Sequence, residues 1–250
     1  MGMGQLYLIP VDLLVGDTGD WIGTRLKTAV QPLRFFVVEH TKSARRFLKA
    51  LDLPLPELTL EVLDEHSGDE DVQRFVRKLE AGVDLGLLSE AGCPAIADPG
   101  AALVAEAHRI GARVTPLVGP SSIVLALMAS GLNGQRFAFS GYLPVRSPAR
   151  EHGIRELEER SRHLNQTEIF IEAPYRNDQF FASLLRTCSA DTMLCLATDL
   201  TGATEQVMTR TVAQWKSNAP PSLDRRPTVF LLHAMGRVSA HRRKRPGGTH

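Results

Sequence analysis

Two short stretches of this chain carry the residue types that ligand chemistry needs. Residues 89–99 read Ser-Glu-Ala-Gly-Cys-Pro-Ala-Ile-Ala-Asp-Pro, and residues 116–122 read Pro-Leu-Val-Gly-Pro-Ser-Ser. Each follows an apolar run and leads into a helical pattern. Small residues directly after a parallel strand let a ligand approach the backbone closely, and open α/β sheets bind ligands at the carboxyl ends of their strands. Neither stretch has the G-x-G-x-x-G spacing and no Walker A pattern occurs in the chain, so nothing favours a dinucleotide or a nucleoside triphosphate. On pattern alone a plain tight turn is the stronger reading of the first stretch.

Single residues in and beyond these stretches have two readings each. Asp98 before Pro99 is the arrangement of a helix N-cap with proline at the first helical position; the other reading is that it shapes the loop around a ligand. Ser121 and Ser122 stand where a cap is needed, or where hydroxyl and backbone groups at a helix N-terminus meet a carboxylate or a ribose. Glu172 ends an apolar strand pattern, with Tyr175 and Arg176 just beyond, which reads equally as a functional site or a surface salt bridge. No Ser-His-Asp order, zinc spacing or Cys-His pair stands out, and no metal site is expected. The eight histidines are scattered, and His40, His66 and His108 read as surface or helix-end residues. Cys93, Cys188 and Cys195 are an odd count without metal-ligand spacing and read as free thiols.

Positioning these residues needs a parallel α/β scaffold, and the periodicity provides one. Strands are predicted at 5–9, 34–38, 85–88 and 112–118. Helices are predicted from Thr41 to before Pro54, over 67–82, over 102–110 and over 123–129. Ser67 and Glu70 have capping-box spacing, and Gly82, Gly111 and Gly131 are helix stops. Residues 11–24 read as a loop. Strand and helix alternate through the first 130 residues, the pattern of a parallel sheet. The second half has strands at 137–144, 168–174, 193–200, 206–212 and 228–233 and a helix over 178–186, with room for one short helix around Trp215. Such crowding of strands predicts a mixed sheet. The charged run 146–163, anchored by Ile154 and Leu157, reads as a solvated helix face, with a grip on an RNA backbone as the lesser alternative. The expected organisation is an N-terminal α/β domain over 1–118, a C-terminal α/β domain over 119–238 and a basic, disordered tail over 239–250.

Bulk properties bound the classes. The chain has 250 residues, is 43% hydrophobic and 23% charged, and carries a net charge of +1, which excludes a histone-like nucleic-acid binder but not a local basic patch. No apolar run approaches the roughly 20 residues of a membrane span. The N-terminus has neither a basic n-region nor a small-residue cleavage site, so a cytoplasmic protein is expected.

Five blocks in order along the chain resemble one family. SEAGCPAIADPG (89–100) is similar to SDAGTPLISDPG, PLVGPSS (116–122) to PLPGPS, SGYLP (140–144) to GFLP, IFIEAPYR (169–176) to IFYESPHR, and DLTGATEQ (199–206) to ELTKxxEE. These are signatures of the ribosomal RNA small subunit methyltransferase I family, within the tetrapyrrole (corrin/porphyrin) methylase superfamily. The resemblance implies two α/β domains with a cofactor cleft between them, the second domain with a mixed sheet. It also implies a homodimer and S-adenosyl-L-methionine as methyl donor. The cofactor contacts that it implies are Pro10, Ala91, Gly92, Cys93, Ile96, Ser121 and Ser122, with Glu172 and Ala173 from the second domain.

The resemblance also has departures. PVDLLVGDTGDW replaces the family's TPIGNL and EHTKS replaces EDTR, while Glu90, Cys93 and Tyr175 stand for Asp, Thr and His. The implied reaction is SN2 methyl transfer from a sulfonium to RNA, with the 2′-oxygen of a ribosomal RNA ribose as acceptor. Glu39, Asp98 and Arg176 are the candidate catalytic groups, the arginine as an electrostatic stabiliser. The departures leave two alternatives open: transfer to a small molecule such as a tetrapyrrole, and a non-catalytic S-adenosylmethionine-binding module.

Overall fold

The computed structural model describes residues 2–14, 21–219 and 221–235. The predicted basic tail at 239–250 lies outside the described residues. These fall into two compact units, one within Met1–Leu125 and Leu200–Ala203, the other within Ala126–Asp199 and Thr204–His250.

The first unit alternates strand and helix: β1 (Gln5–Leu8), α1 (Thr24–Val30), β2 (Phe35–Val38), α2 (Thr41–Ala50), β3 (Thr59–Val62), α3 (Asp69–Glu80), β4 (Leu85–Leu88), α4 (Gly100–Arg109), β5 (Arg113–Pro116) and the start of α5 (Ser122–Ser130), whose residues from Ala126 on belong to the second unit. Its sheet has the order β3-β2-β4-β1-β5, and every pairing is parallel. Neighbouring residues of β2 explain the burial: Phe36 and Val38 enter one core with Ile9, Phe47 and Leu48, while Val37 enters another with Leu6, Phe75 and Leu87. Both sheet faces are therefore covered, and β4 is buried at all four positions. Gly86 in that strand is required by space, because a Cβ there would lie 2.7 Å from Phe36 Cδ1 and 2.8 Å from Ile9 Cδ1.

Two elements depart from the sequence expectation. Helix α1 buries only Leu26 and Val30, too short a stripe for its periodicity to show. Strand β3 (TLEV) is an edge strand with no buried residue, so it lacks the apolar run that marks a strand. The capping box before α3 also moves by one residue. Asp71 accepts from the Gly68 N–H at 3.1 Å, whereas Ser67 closes the preceding turn with Asp64.

The second unit contains β6 (Phe137–Tyr142), α6 (Ala149–Leu164), β7 (Thr167–Ile171), α7 (Asn177–Thr187), β8 (Met193–Thr198), β9 (Gln206–Thr211), α8 (Val212–Ser217) and β10 (Thr228–His233). The sheet is mixed, as expected, with order β6-β7-β10-β8-β9; β6 and β7 run parallel and the remaining pairs antiparallel. Central β10 is buried throughout. Phe170, Phe180 and Phe230 pack ring to ring at 5.1–6.0 Å between centroids, the spacing favoured by aromatic pairs. Helix α6 is less solvated than its charge suggests. It buries Arg150 and Glu158 beside Ile154 and Leu157, and Glu158 accepts the Ser189 N–H at 2.8 Å.

The three cysteines are free, and burial pushes the Cys188 and Cys195 thiols up to about 12 and about 11. Among the described residues, no helix is long and apolar enough to cross a membrane and no cluster suited to a metal ion occurs.

Candidate functional site

The predicted site residues of the first unit gather at the carboxyl ends of β1, β4 and β5. Three connections hold the loops there. Val11, just past Pro10, donates its N–H to the Gly92 carbonyl at 2.9 Å. The Cys93 thiol lies 3.4 Å from the Pro120 carbonyl. Gly119 faces the Pro10 ring so closely that a Cβ would sit 2.3 Å from Pro10 Cβ, and 3.0 Å from Trp21 Cζ3. Pro10, Gly92, Cys93 and Gly119 thus form one continuous backbone wall. Ser121 directly precedes α5, its carbonyl accepting the Leu125 N–H at 3.0 Å, and Ser122 is the first helical residue.

The loop after β4 is bent tightly. Gly92, Ala95 and Ala97 all have positive φ, at 72°, 65° and 60°. Left-handed alanines cost energy and persist only where the surroundings over-determine them. Asp98 holds the first of the two alanines: its carboxylate accepts the Ala95 N–H at 2.8 and 2.9 Å and the Gly100 N–H at 2.7 Å. It therefore shapes the loop and also takes the first N–H of α4, whose N-cap is Pro99 rather than the expected Asp98. Ser89 closes the other side, donating to the Ala91 and Gly92 carbonyls at 3.2 and 3.4 Å. The bend leaves Ile96 exposed.

Glu39 lies at the end of β2 and reaches the same loop, its Oε2 accepting the Glu90 N–H at 2.8 Å. Burial raises its carboxyl above the ordinary value, against the pull of that hydrogen bond, and the negative charges of Asp98, Glu90 and Glu65 add to the rise. Burial likewise raises Asp98. A carboxyl with a raised folded-state value binds its proton more tightly folded than unfolded. The stability it contributes is complete below the ordinary 4.5 and is lost as pH rises through the folded value. Glu39→Gln, which keeps an oxygen for the Glu90 N–H, is expected to melt higher than the parent near neutral pH and at the same temperature near about pH 4. Thermal denaturation at both pH values reads the difference.

The second unit places Glu172, Ala173 and Arg176 together just past the end of β7. Glu172 is buried, and its Oε1 accepts from Arg176 Nε at 3.0 Å, Arg176 Nη2 at 2.6 Å and the Ala173 N–H at 2.7 Å. The Glu172 carboxylate holds the Arg176 guanidinium above its ordinary value. The sequence left open a site or a salt bridge; the pairing is an ion pair with one buried partner, and Glu172 Oε2 has no hydrogen-bond partner.

Trp21 was not singled out from the sequence, and Ser89 and Gly119 were read there only as parts of the two stretches, without a role of their own. Trp21 stacks on Phe47 with centroids 6.1 Å apart and donates its indole N–H to Asp12 at 3.0 Å. The Gly-Pro dipeptide signals a turn, but that its glycine must admit the Pro10 ring is a property of strand order. His40, His66 and His108 are exposed, as expected.

Comparisons with known proteins bear on this geometry. No family model matches the chain. Its relatives include ribosomal RNA small subunit methyltransferase I of Xylella fastidiosa (strain Temecula1), 30% identical over 233 residues that cover 93% of this chain and 82% of that protein. The Vibrio cholerae protein of the same name is 32% identical over 213 residues, 85% of this chain and 70% of that one. Among solved structures, the methyltransferase CobJ is 16% identical with a TM-score of 0.63, covering 92% of this chain and 94% of its own. A diphthine synthase is 16% identical with the same TM-score, covering 92% and 90%. The uroporphyrin-III C-methyl transferase of Thermus thermophilus, solved with S-adenyl homocysteine, is 15% identical with a TM-score of 0.53, covering 92% and 97%. These structures share the fold.

Proposed function

The chain belongs to the ribosomal RNA small subunit methyltransferase I family, and from that premise we propose that it transfers the methyl group of S-adenosylmethionine to ribosomal RNA, with a ribose 2′-hydroxyl as acceptor. The observation that carries the reading is identity of 30–32% over 213–233 residues with relatives of that name. The enzyme is further proposed to work as a homodimer in the cytoplasm.

The first-unit groups fit this cofactor chemically. The wall of Pro10, Gly92, Cys93 and Gly119, with Ala91 beside it in the same loop, offers backbone polar groups with little side-chain bulk, so a ligand can lie against it. Ile96 supplies an apolar surface, and Ser121 and Ser122 supply hydroxyls at a helix start. Glu39 and Asp98 bring negative charge towards a ligand that carries a sulfonium and an ammonium. When bound, S-adenosylmethionine supplies a methyl group on a good, neutral leaving group, so alignment can contribute much of the rate.

The chain's own residues divide the remaining work. Asp98 is occupied by the loop N–H groups and serves as a positioning residue. Glu39 has one carboxylate oxygen on Glu90 and a raised tendency to hold a proton, which suits it to take the proton from an attacking hydroxyl.

Calorimetry with S-adenosylmethionine and S-adenosylhomocysteine, followed by transfer of labelled methyl to ribosomal RNA from a strain lacking the enzyme, tests the proposal. Binding with label recovered in RNA is the expected result. Binding neither compound overturns the cofactor. Label passing to a tetrapyrrole instead, or binding with no transfer at all, overturns the RNA reading.

A further inference from the structure

The second unit exposes two tyrosines at one end of its sheet. Tyr142 is 60% exposed and Tyr175 is 67% exposed. Tyr142 closes β6 and is paired with Ile171, the last residue of β7. Tyr175 lies four residues past Ile171, in a single 3-10 turn, Pro174–Arg176. A register break between Phe139 and Tyr142, with Gly141 at a φ of 63°, re-aims the end of β6. The Arg176 guanidinium stands 4.8 Å over the Tyr175 ring and hydrogen-bonds its hydroxyl. Buried Glu172 holds that guanidinium in turn, so the ring is braced from below.

The surroundings are cationic. Arg146 is exposed on the connection to α6. Arg150, in the first turn of that 16-residue helix, is buried and does not reach this surface. Of the nearby acids, Glu172 is paired with Arg176, and Glu151 accepts from Ser147.

We propose that this end of β6 and β7 is a stacking platform for single-stranded RNA, with Tyr142 and Tyr175 receiving bases and Arg146 and Arg176 facing the phosphates. The proposal rests on the RNA reading above and names the strand state it requires. Aromatic rings among cations suit unpaired bases, whose faces are free, and a duplex offers no such face.

The test is fluorescence anisotropy of the full chain with a labelled, unstructured RNA of about ten nucleotides. Tyr142→Ala and Tyr175→Ala are each expected to weaken binding about tenfold, with the phenylalanine variants restoring it. Arg146→Ala should lower the salt slope by about 1. Calorimetric binding of S-adenosylmethionine should be unchanged in every variant, which separates failure of the platform from failure of the cofactor reading. Wild-type RNA affinity in both alanine variants overturns the proposal. So does equal affinity for a duplex, or a loss of self-association in the tyrosine variants with RNA affinity retained, which would make this face a contact between two copies of the chain.

Discussion

Gly119→Ala is expected to lower methyl transfer by about a hundredfold, the scale on which a misplacement of about 1 Å acts at a reacting centre. A Cβ at this position would stand 2.3 Å from Pro10 Cβ and 2.7 Å from Pro10 Cγ, with Trp21 Cζ3 at 3.0 Å on another side. A proline ring cannot rotate away, so the backbone must part. The movement separates the end of β1 from the end of β5 and strains the Val11–Gly92 hydrogen bond between the end of β1 and the loop after β4. Overpacking of this kind costs about 1–3 kcal/mol of stability, so the protein should still fold. Calorimetry with S-adenosylhomocysteine and a single-turnover rate measure the effect. Gly134→Ala is the control, because a Cβ there meets nothing within 4 Å. Wild-type affinity and rate in Gly119→Ala would show that this contact has no part in the site.

Arg160→Met is expected to destabilise the protein by about 3 kcal/mol, the lower end of the range for breaking a buried ion pair. Glu168, on β7, has a side chain 0% exposed, whereas that of Arg160 is 44% exposed. Arg160 contacts both carboxylate oxygens, with Nε at 2.8 Å from Oε1, and the carboxylate raises its guanidinium further. Without the arginine, Glu168 keeps Gln166 Nε2 at 2.7 Å but loses its counter-charge. The penalty comes from a buried carboxylate left without its partner. Urea denaturation reads the loss. Adding Glu168→Gln to Arg160→Met should recover most of the stability, because a buried pair removed whole costs far less than one half removed. A double variant no more stable than Arg160→Met would contradict this account.

Much of the architecture could be read from the chain. Strands β1, β2 and β4 lie in short apolar runs, β5 lies in the run ARVTPLV before a Gly-Pro turn, and helices α2 and α3 carry full apolar stripes, so periodicity finds them. Strand β3 and helix α1 escape it, because one is an edge strand and the other buries two side chains. In the second half, crowded strands with little helix between them signalled the mixed sheet. Buried Arg150 and Glu158 did not show, because a charged residue reads as solvated until its packing is known.

At the loops the division is sharper. Residue types and their order along the chain determined the family and the cofactor chemistry, and the positions proposed to offer it are small residues and helix starts, which are local properties. The role of each group was decided by tertiary structure. Asp98 binds three residues back and two ahead, so it is committed to holding Ala95 in a left-handed conformation. Glu39, 51 residues before Glu90, meets that residue's N–H only because β2 lies beside β4. Gly119 must be glycine only because β5 lies beside β1, where its neighbour is a proline ring. Contacts between distant segments follow from strand order, and strand order is fixed by the burial of the whole sheet.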